Sequence, residues 1–217
     1  MDIDLRLKDD ILAELKWEPS VNEAGIGVIV KDRVVTLTGT VRHWPEKSAA
    51  ERAVQRVVGV RAVANEIQVE LPGCSERTDA DIGRAAANAL ESNVIVPHNR
   101  VKVTVENGRI TLIGEVDWYY QKAAAENAVH HLWGVKEVIN EIIIKPLLIP
   151  SEVKGKIEAA LQRNAVLSAA KRIMVEENEG KVTLHGFVRT WEEWEEAARV
   201  AWAAPGVSFV ENNIRIK

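Results

Sequence analysis

The chain has 217 residues, 47% of them hydrophobic and 28% charged, with a net charge of −4 and a single cysteine, Cys74. No third of it is basic, so it lacks the electrostatic footprint of a nucleic-acid-binding protein. It has no run approaching the ~18 apolar residues of a membrane-spanning helix, and one thiol allows no intramolecular disulfide.

The start, Met1-Asp2-Ile3-Asp4-Leu5, has neither a basic n-region nor an apolar h-region. As written it is no secretory signal and points to a cytoplasmic protein, or to a periplasmic one if a leader has been removed. Residues 5–17 follow, with Leu5, Leu7, Ile11, Leu12 and Leu15 roughly at helical spacing. A short strand is expected over 27–30, then a hairpin turn at Lys31-Asp32-Arg33 that must be made without glycine. The next strand reads Val35-Thr36-Leu37-Thr38-Gly39-Thr40-Val41. A second helix is predicted over 46–58, rich in small residues (Ala49, Ala50, Ala53) that let it sit close to a sheet. Gly59 fits the left-handed position that ends a helix. Val60, Asn65 and the alternating Ile67 and Val69 close the segment with a third strand.

The same order then returns. After a linker over 71–77 that holds Pro72 and Cys74, Thr78-Asp79-Ala80-Asp81 is an N-cap signal before Ile82, Ala86 and Leu90. A strand over 101–105 leads to Asn107-Gly108, a dipeptide suited to the positive φ angles of a tight hairpin. Ile110-Thr111-Leu112-Ile113-Gly114-Glu115-Val116, a helix over 121–133, Gly134-Val135, Asn140, and Ile142 with Ile144 complete the second copy. A linker over 145–150 carries Pro146 and Pro150. Pro150-Ser151-Glu152 then starts a helix through Val153, Ile157 and Leu161. A strand over 172–175, the turn Glu179-Gly180, Val182-Thr183-Leu184-His185-Gly186-Phe187-Val188, a helix over 192–204, Gly206-Val207, Asn212, Ile214 and Ile216 form the third.

The repeat predicts three α-β-β-α-β units over 1–71, 78–146 and 150–217, an α+β tandem of small sandwiches, each a three-stranded mixed sheet with two helices. Units of about 70 residues lie near the lower size at which one core suffices. Short proline-containing linkers therefore predict closely packed junctions. Gly39, Gly114 and Gly186 sit inside strands, where glycine marks a bulge or a close approach; a helix packed over each is the expectation. With Gly59, Gly134 and Gly206 they read as structural, because a residue present in every copy belongs to the scaffold.

The three copies of V-x-L-x-G-x-V, the helix ending in Gly-Val and the closing V-x-N-x-I-x-V resemble the BON domain, the family named for bacterial osmotically inducible and nodulation proteins. The resemblance covers nearly the whole chain. It implies an α-β-β-α-β sandwich without catalytic activity, tied to envelope stress and to phospholipid surfaces, with some relatives binding small ligands or ions.

The rings carry the functional reading. Five residues after each signature glycine stands Trp44, Tyr119 or Trp191, and Trp118, Tyr120 and Trp194 crowd the same place. Trp and Tyr favour the headgroup layer of a membrane, so these rings, with Lys122 beside them, are candidates for contact with a phospholipid surface or a protein partner. The alternative for the recurrent position is a seal between units. Trp17, Trp133 and Trp202 lie in or at the ends of helices and read as core or interface. Clefts between the repeats, holding a ligand, an ion or a protein, are the second functional reading. Self-association stays open. No cofactor or metal is expected: the neighbours His130 and His131 point about 100° apart on a helix, and His43, His98 and His185 have no partner at ligand spacing. Glu192, Glu193, Glu195 and Glu196 suit a helix N-terminus.

Overall fold

The computed structural model describes residues 3–73, 76–146, 152–167 and 173–216. Cys74, Leu148, Pro150, Ser151 and Arg172, which carry the linker thiol, part of the second linker, the third N-cap signal and the start of a predicted strand, lie outside them. The first unit runs α1 (Ile3–Trp17), a 3-10 turn (Glu23–Gly25), β1 (Ile26–Lys31), β2 (Val34–Val41), α2 (Trp44–Arg56), β3 (Ala62–Asn65) and β4 (Gln68–Val69). The second runs α3 (Asp79–Ser92), β5 (Val101–Glu106), β6 (Arg109–Val116), α4 (Tyr119–His130) and β7 (Glu137–Ile144). The third runs α5 (Val153–Arg163), β8 (Met174–Asn178), β9 (Lys181–Val188), α6 (Trp191–Trp202) and β10 (Phe209–Ile216).

Each sheet has the same plan. The glycine-bearing strand is central, the preceding strand pairs with it antiparallel, and the strand after the second helix pairs with it parallel. The first sheet counts four strands because its parallel strand breaks at Glu66–Ile67, leaving β3 and β4 both on β2. Alternation sets the buried face. In β6, Ile110 and Leu112 are wholly buried while Arg109 and Ile113 point outward. The two helices of a unit cover that face: Ile82, Ala86 and Leu90 from α3 and Ala125 and Val129 from α4 meet it in one core. Burial of each such Ile or Leu stabilises by about 1.5–3 kcal/mol. Among the described residues there are three such clusters, one per unit.

The hairpin turns show how one geometry is reached by two sequences. Asn107 and Gly108 both have positive φ, 53° and 79°. Asp32 and Arg33, without glycine, take 54° and 65°. A carboxylate from the first helix of the unit steadies each turn. Asp4 accepts from the backbone N–H groups of Asp32 and Arg33 (2.8 and 3.0 Å), and Asp79 from those of Asn107 and Gly108 (2.8 and 2.9 Å).

Two glycine expectations change. Gly114 has φ +151°, and a Cβ there would overlap the carbonyl oxygen of Arg100 and stand 3.0 Å from Val101 Cα. What lies over this glycine is the backbone at the mouth of its own hairpin, not a helix. Gly39 meets the Gly25 carbonyl in the same way. The second glycine is not the residue that ends the helix. The second helices stop at Arg56, His130 and Trp202, and Gly59, Gly134 and Gly206 occupy the third position of a four-residue turn beyond them. Those turns close through Val60 N–H to Val57 O, Val135 N–H to Leu132 O and Val207 N–H to Ala204 O. Positive φ at the third residue is what such a turn demands. The second helices also begin two residues or less before their predicted starts, on the rings Trp44, Tyr119 and Trp191 themselves.

The recurrent asparagine joins the second helix to the third strand. Asn140 Nδ2 donates to the Lys122 carbonyl (3.0 Å), and its Oδ1 accepts from Ile142 N–H (3.3 Å). Asn65 and Asn212 repeat both bonds, to Lys47 and Ile67 and to Trp194 and Ile214. A carbonyl oxygen has a second lone pair to offer, so the helix ladder is not broken by the bond.

Candidate functional site

The three units meet through the rings that open their second helices. Trp44, at the start of α2, lies edge-on to His130 at the end of α4, with ring centroids 6.2 Å apart. Tyr119, at the start of α4, stacks on Trp202 at the end of α6, 4.7 Å away and 13° from parallel. Trp191, at the start of α6, packs against the core of the first unit and donates from Nε1 to the Val60 carbonyl (3.1 Å), just past α2. Each ring docks on the far end of the next unit's second helix: first on second, second on third, third on first. The recurrent aromatic position is therefore a junction element in all three copies. His43 and Trp133 add a second edge contact to the first junction (5.6 Å).

The junctions are not equal. Trp191 has an acceptor for its indole N–H, whereas Trp44 Nε1 is buried with no hydrogen-bond partner among the described residues. Burial holds the Tyr119 phenol above its usual range, with help from Glu126 and Glu195. It also pushes the His130 imidazole below its usual range, and His131, with its ring 5.0 Å away, works in the same direction.

The remaining ring candidates separate into two groups. Lys122 and Trp194, at equivalent places on their helices, are both spent inside their own units. Lys122 Nζ donates to the Ile142 carbonyl (2.8 Å) and Trp194 Nε1 to the Ile214 carbonyl (3.1 Å). Burial lowers the Lys122 ammonium from its ordinary range, so this cation is poorly placed for a headgroup. Trp118 and Tyr120 behave differently. They stack on each other (6.3 Å, 29°) and remain 36% and 56% exposed. Sequence reasoning missed their company: Val94, fully exposed, and Ile95 stand on the loop before β5 at the same end of the unit. That end is tied together by Arg100, whose guanidinium reaches both oxygens of Asp117 at 3.0 Å. A pair of consecutive exposed aliphatic residues between a helix and a strand was the available signal.

The acidic start of α6 has local employment. Glu193 accepts from Arg189 N–H (2.7 Å), and Glu196 holds Arg199 and Asn164. Among the described residues, no three His, Cys, Asp or Glu side chains assemble as a metal-ligand set, and no helix is long and apolar enough to cross a membrane. Clefts do lie at the unit boundaries. One of about 480 Å³ separates the first and second units, and another of about 480 Å³ the third and first.

Comparison with known proteins fits this architecture. Over 143 residues the chain is 28% identical to osmotically-inducible protein Y of Escherichia coli, covering 62% of this chain and 69% of that protein. Over 122 residues it is 33% identical to a 21 kDa hemolysin of Actinobacillus pleuropneumoniae, covering 55% of this chain and 62% of that one. The C-terminal domain of CdsD, a structural protein of the type III secretion system of Chlamydia trachomatis, aligns over the whole chain at 17% identity with a TM-score of 0.27, too low to carry an argument. The BON domain family matches residues 3–70, 78–146 and 151–217. With three copies of one α-β-β-α-β unit matched over nearly its full length, the chain belongs to the BON domain family.

Proposed function

We propose that this chain is a non-enzymatic, stress-response binding protein whose target is a phospholipid surface, met by the exposed end of the middle unit. The observation that carries the reading is the set Val94, Ile95, Trp118 and Tyr120. Four large apolar side chains from two separate segments stay open at one end of one unit. Exposed apolar clusters mark interaction sites, and Trp and Tyr suit the headgroup layer, where one side of a ring is wet and the other apolar. The family, and a relative named for osmotic induction, support the stress-response setting.

The charges at this end favour apolar contact over headgroup attraction. Arg100 is paired with Asp117 and Lys145 with Glu115 (2.6 Å). Binding should therefore vary little with salt and with the fraction of anionic lipid. The test is co-sedimentation with phosphatidylcholine vesicles, with and without phosphatidylglycerol. Trp118→Ala with Tyr120→Ala should lower the vesicle-bound fraction about tenfold or more, since each ring contributes up to roughly 1.5–3 kcal/mol on burial. Unchanged binding by a double variant with an unaltered circular dichroism spectrum refutes this contact surface.

A further inference from the structure

The clefts at the first–second and third–first boundaries are built from equivalent positions. One wall comes from the start of the second helix and the third strand of one unit. The other comes from the hairpin turn of the next. Their chemistry differs. In the first–second cleft the turn side carries Glu106 and Glu137. The equivalent residues of the first unit, which faces the third–first cleft, are Lys31 and Ala62. Among the described residues, no carboxylate lines the third–first cleft. Three arginines do: Arg33 and Arg61 from the first unit and Arg215 from β10.

Among the described residues, none of the three takes part in an ion pair, and Arg61 and Arg215 have no side-chain hydrogen-bond partner. Arg33 donates only Nε, to the Gly59 carbonyl (2.7 Å), which fixes the side chain while leaving its terminal nitrogens unpaired. Like charges gathered without an anion repel one another, so the arrangement gains when an anion enters. The rest of the lining is apolar, with Trp194 and Phe187 prominent. We propose that the third–first cleft is a binding site for an organic phosphate: the phosphate group is held by Arg33, Arg61 and Arg215, and an attached ring or chain lies against Trp194 and Phe187. Guanidinium forks match phosphate oxygens two at a time, with charge-assisted hydrogen bonds. The site does not share residues with the apolar end of the middle unit, so the two proposals stand or fall separately.

The test is a titration of the full chain with phenyl phosphate and with inorganic phosphate, read by calorimetry and by tryptophan fluorescence. Phenyl phosphate should bind saturably and more tightly than inorganic phosphate. Arg61→Gln with Arg215→Gln should weaken it about tenfold or more, whereas Trp118→Ala with Tyr120→Ala should leave it unchanged. Both arginines are exposed, so the double variant should keep the wild-type melting temperature. A competition arm with phosphatidylglycerol vesicles distinguishes the source. Displacement of phenyl phosphate identifies a lipid headgroup, and its absence identifies a soluble ester; either supports the site. No saturable binding of either phosphate, or binding indifferent to the arginine pair, overturns it. Loss of vesicle binding by the Trp118/Tyr120 variant bears on the proposed function alone.

Discussion

Replacing Gly114 by alanine tests the hairpin argument with one methyl group. The added Cβ would overlap the Arg100 carbonyl oxygen and sit 3.0 Å from Val101 Cα and 3.1 Å from the Arg100 carbonyl carbon. Every one of these is a backbone atom, so no side chain can swing aside. The mouth of the β5–β6 hairpin must open, and the Glu115 N–H to Arg100 O contact there (3.4 Å) is the first to be lost. The φ of +151° adds strain for any residue with a Cβ. Overpacking contributes about 1–3 kcal/mol and backbone strain a similar amount. A combined loss of about 2–4 kcal/mol is expected, which for a chain of this length lowers the melting temperature by roughly 5–15 °C. Gly155→Ala is the control. Gly155 lies within α5, and a Cβ there meets nothing within 4 Å. It should raise stability by about 0.5–1 kcal/mol, because alanine loses less backbone freedom on entering a helix. The assay is thermal denaturation of both variants followed by circular dichroism. A Gly114→Ala melting temperature within about 1 °C of wild type would show that the hairpin mouth is open and the close-approach argument wrong.

The junction rings should respond unequally to the same change. Trp191→Phe removes a hydrogen bond to Val60 O, whereas Trp44→Phe removes an indole N–H that has no acceptor among the described residues. Chemical denaturation should find Trp191→Phe the more damaging by about 1–2 kcal/mol; equal losses would refute the distinction. The first junction should also weaken in mild acid. The folded His130 imidazole titrates below the 6.5 of a free histidine, chiefly through burial and then through His131, so at acid pH the unfolded chain binds the extra proton. Stability from this group is complete above the unfolded value near 6.5 and is lost as pH falls through the window beneath it. Melting temperatures of wild type and His130→Gln between pH 5 and 8 should diverge at the acid end, with the variant the flatter; parallel curves would refute the assignment.

Why some of this was legible in the sequence and some was not comes down to range. Strand alternation at Ile110 and Leu112, the Thr78 N-cap and the Asn107-Gly108 turn are local devices, each decided within a few residues, and the alternation recurs in all three central strands. Arg33 at positive φ was not legible, because the Asp4 carboxylate that steadies the turn comes from 29 residues away. The role of Asn65, Asn140 and Asn212 was hidden for the same reason, since each bridges to a helix 18 residues earlier. At the candidate sites, the choice between lip and seal for Trp44, Tyr119 and Trp191 depends on which unit faces which. It turns on contacts such as Trp191 to Val60, 131 residues apart. The three arginines of the third–first cleft are scattered as Arg33, Arg61 and Arg215, with no spacing that marks them as a set.

The order of docking, first on second, second on third and third on first, has a consequence for what the chain does not do. Each unit carries a plug, the ring at the start of its second helix, and a socket at that helix's far end. A plug and a socket on one body generate filaments unless the rotation closes. With three links it closes, and every plug is used. A fragment of two units would keep the Trp44 link but present Tyr119 with no Trp202 to stack on and a Val60 carbonyl with no indole to receive. Such a fragment has complementary ends that face no partner within its own chain. It would be expected to exchange links with its neighbours at high concentration, whereas in the full chain the third unit occupies both of those ends.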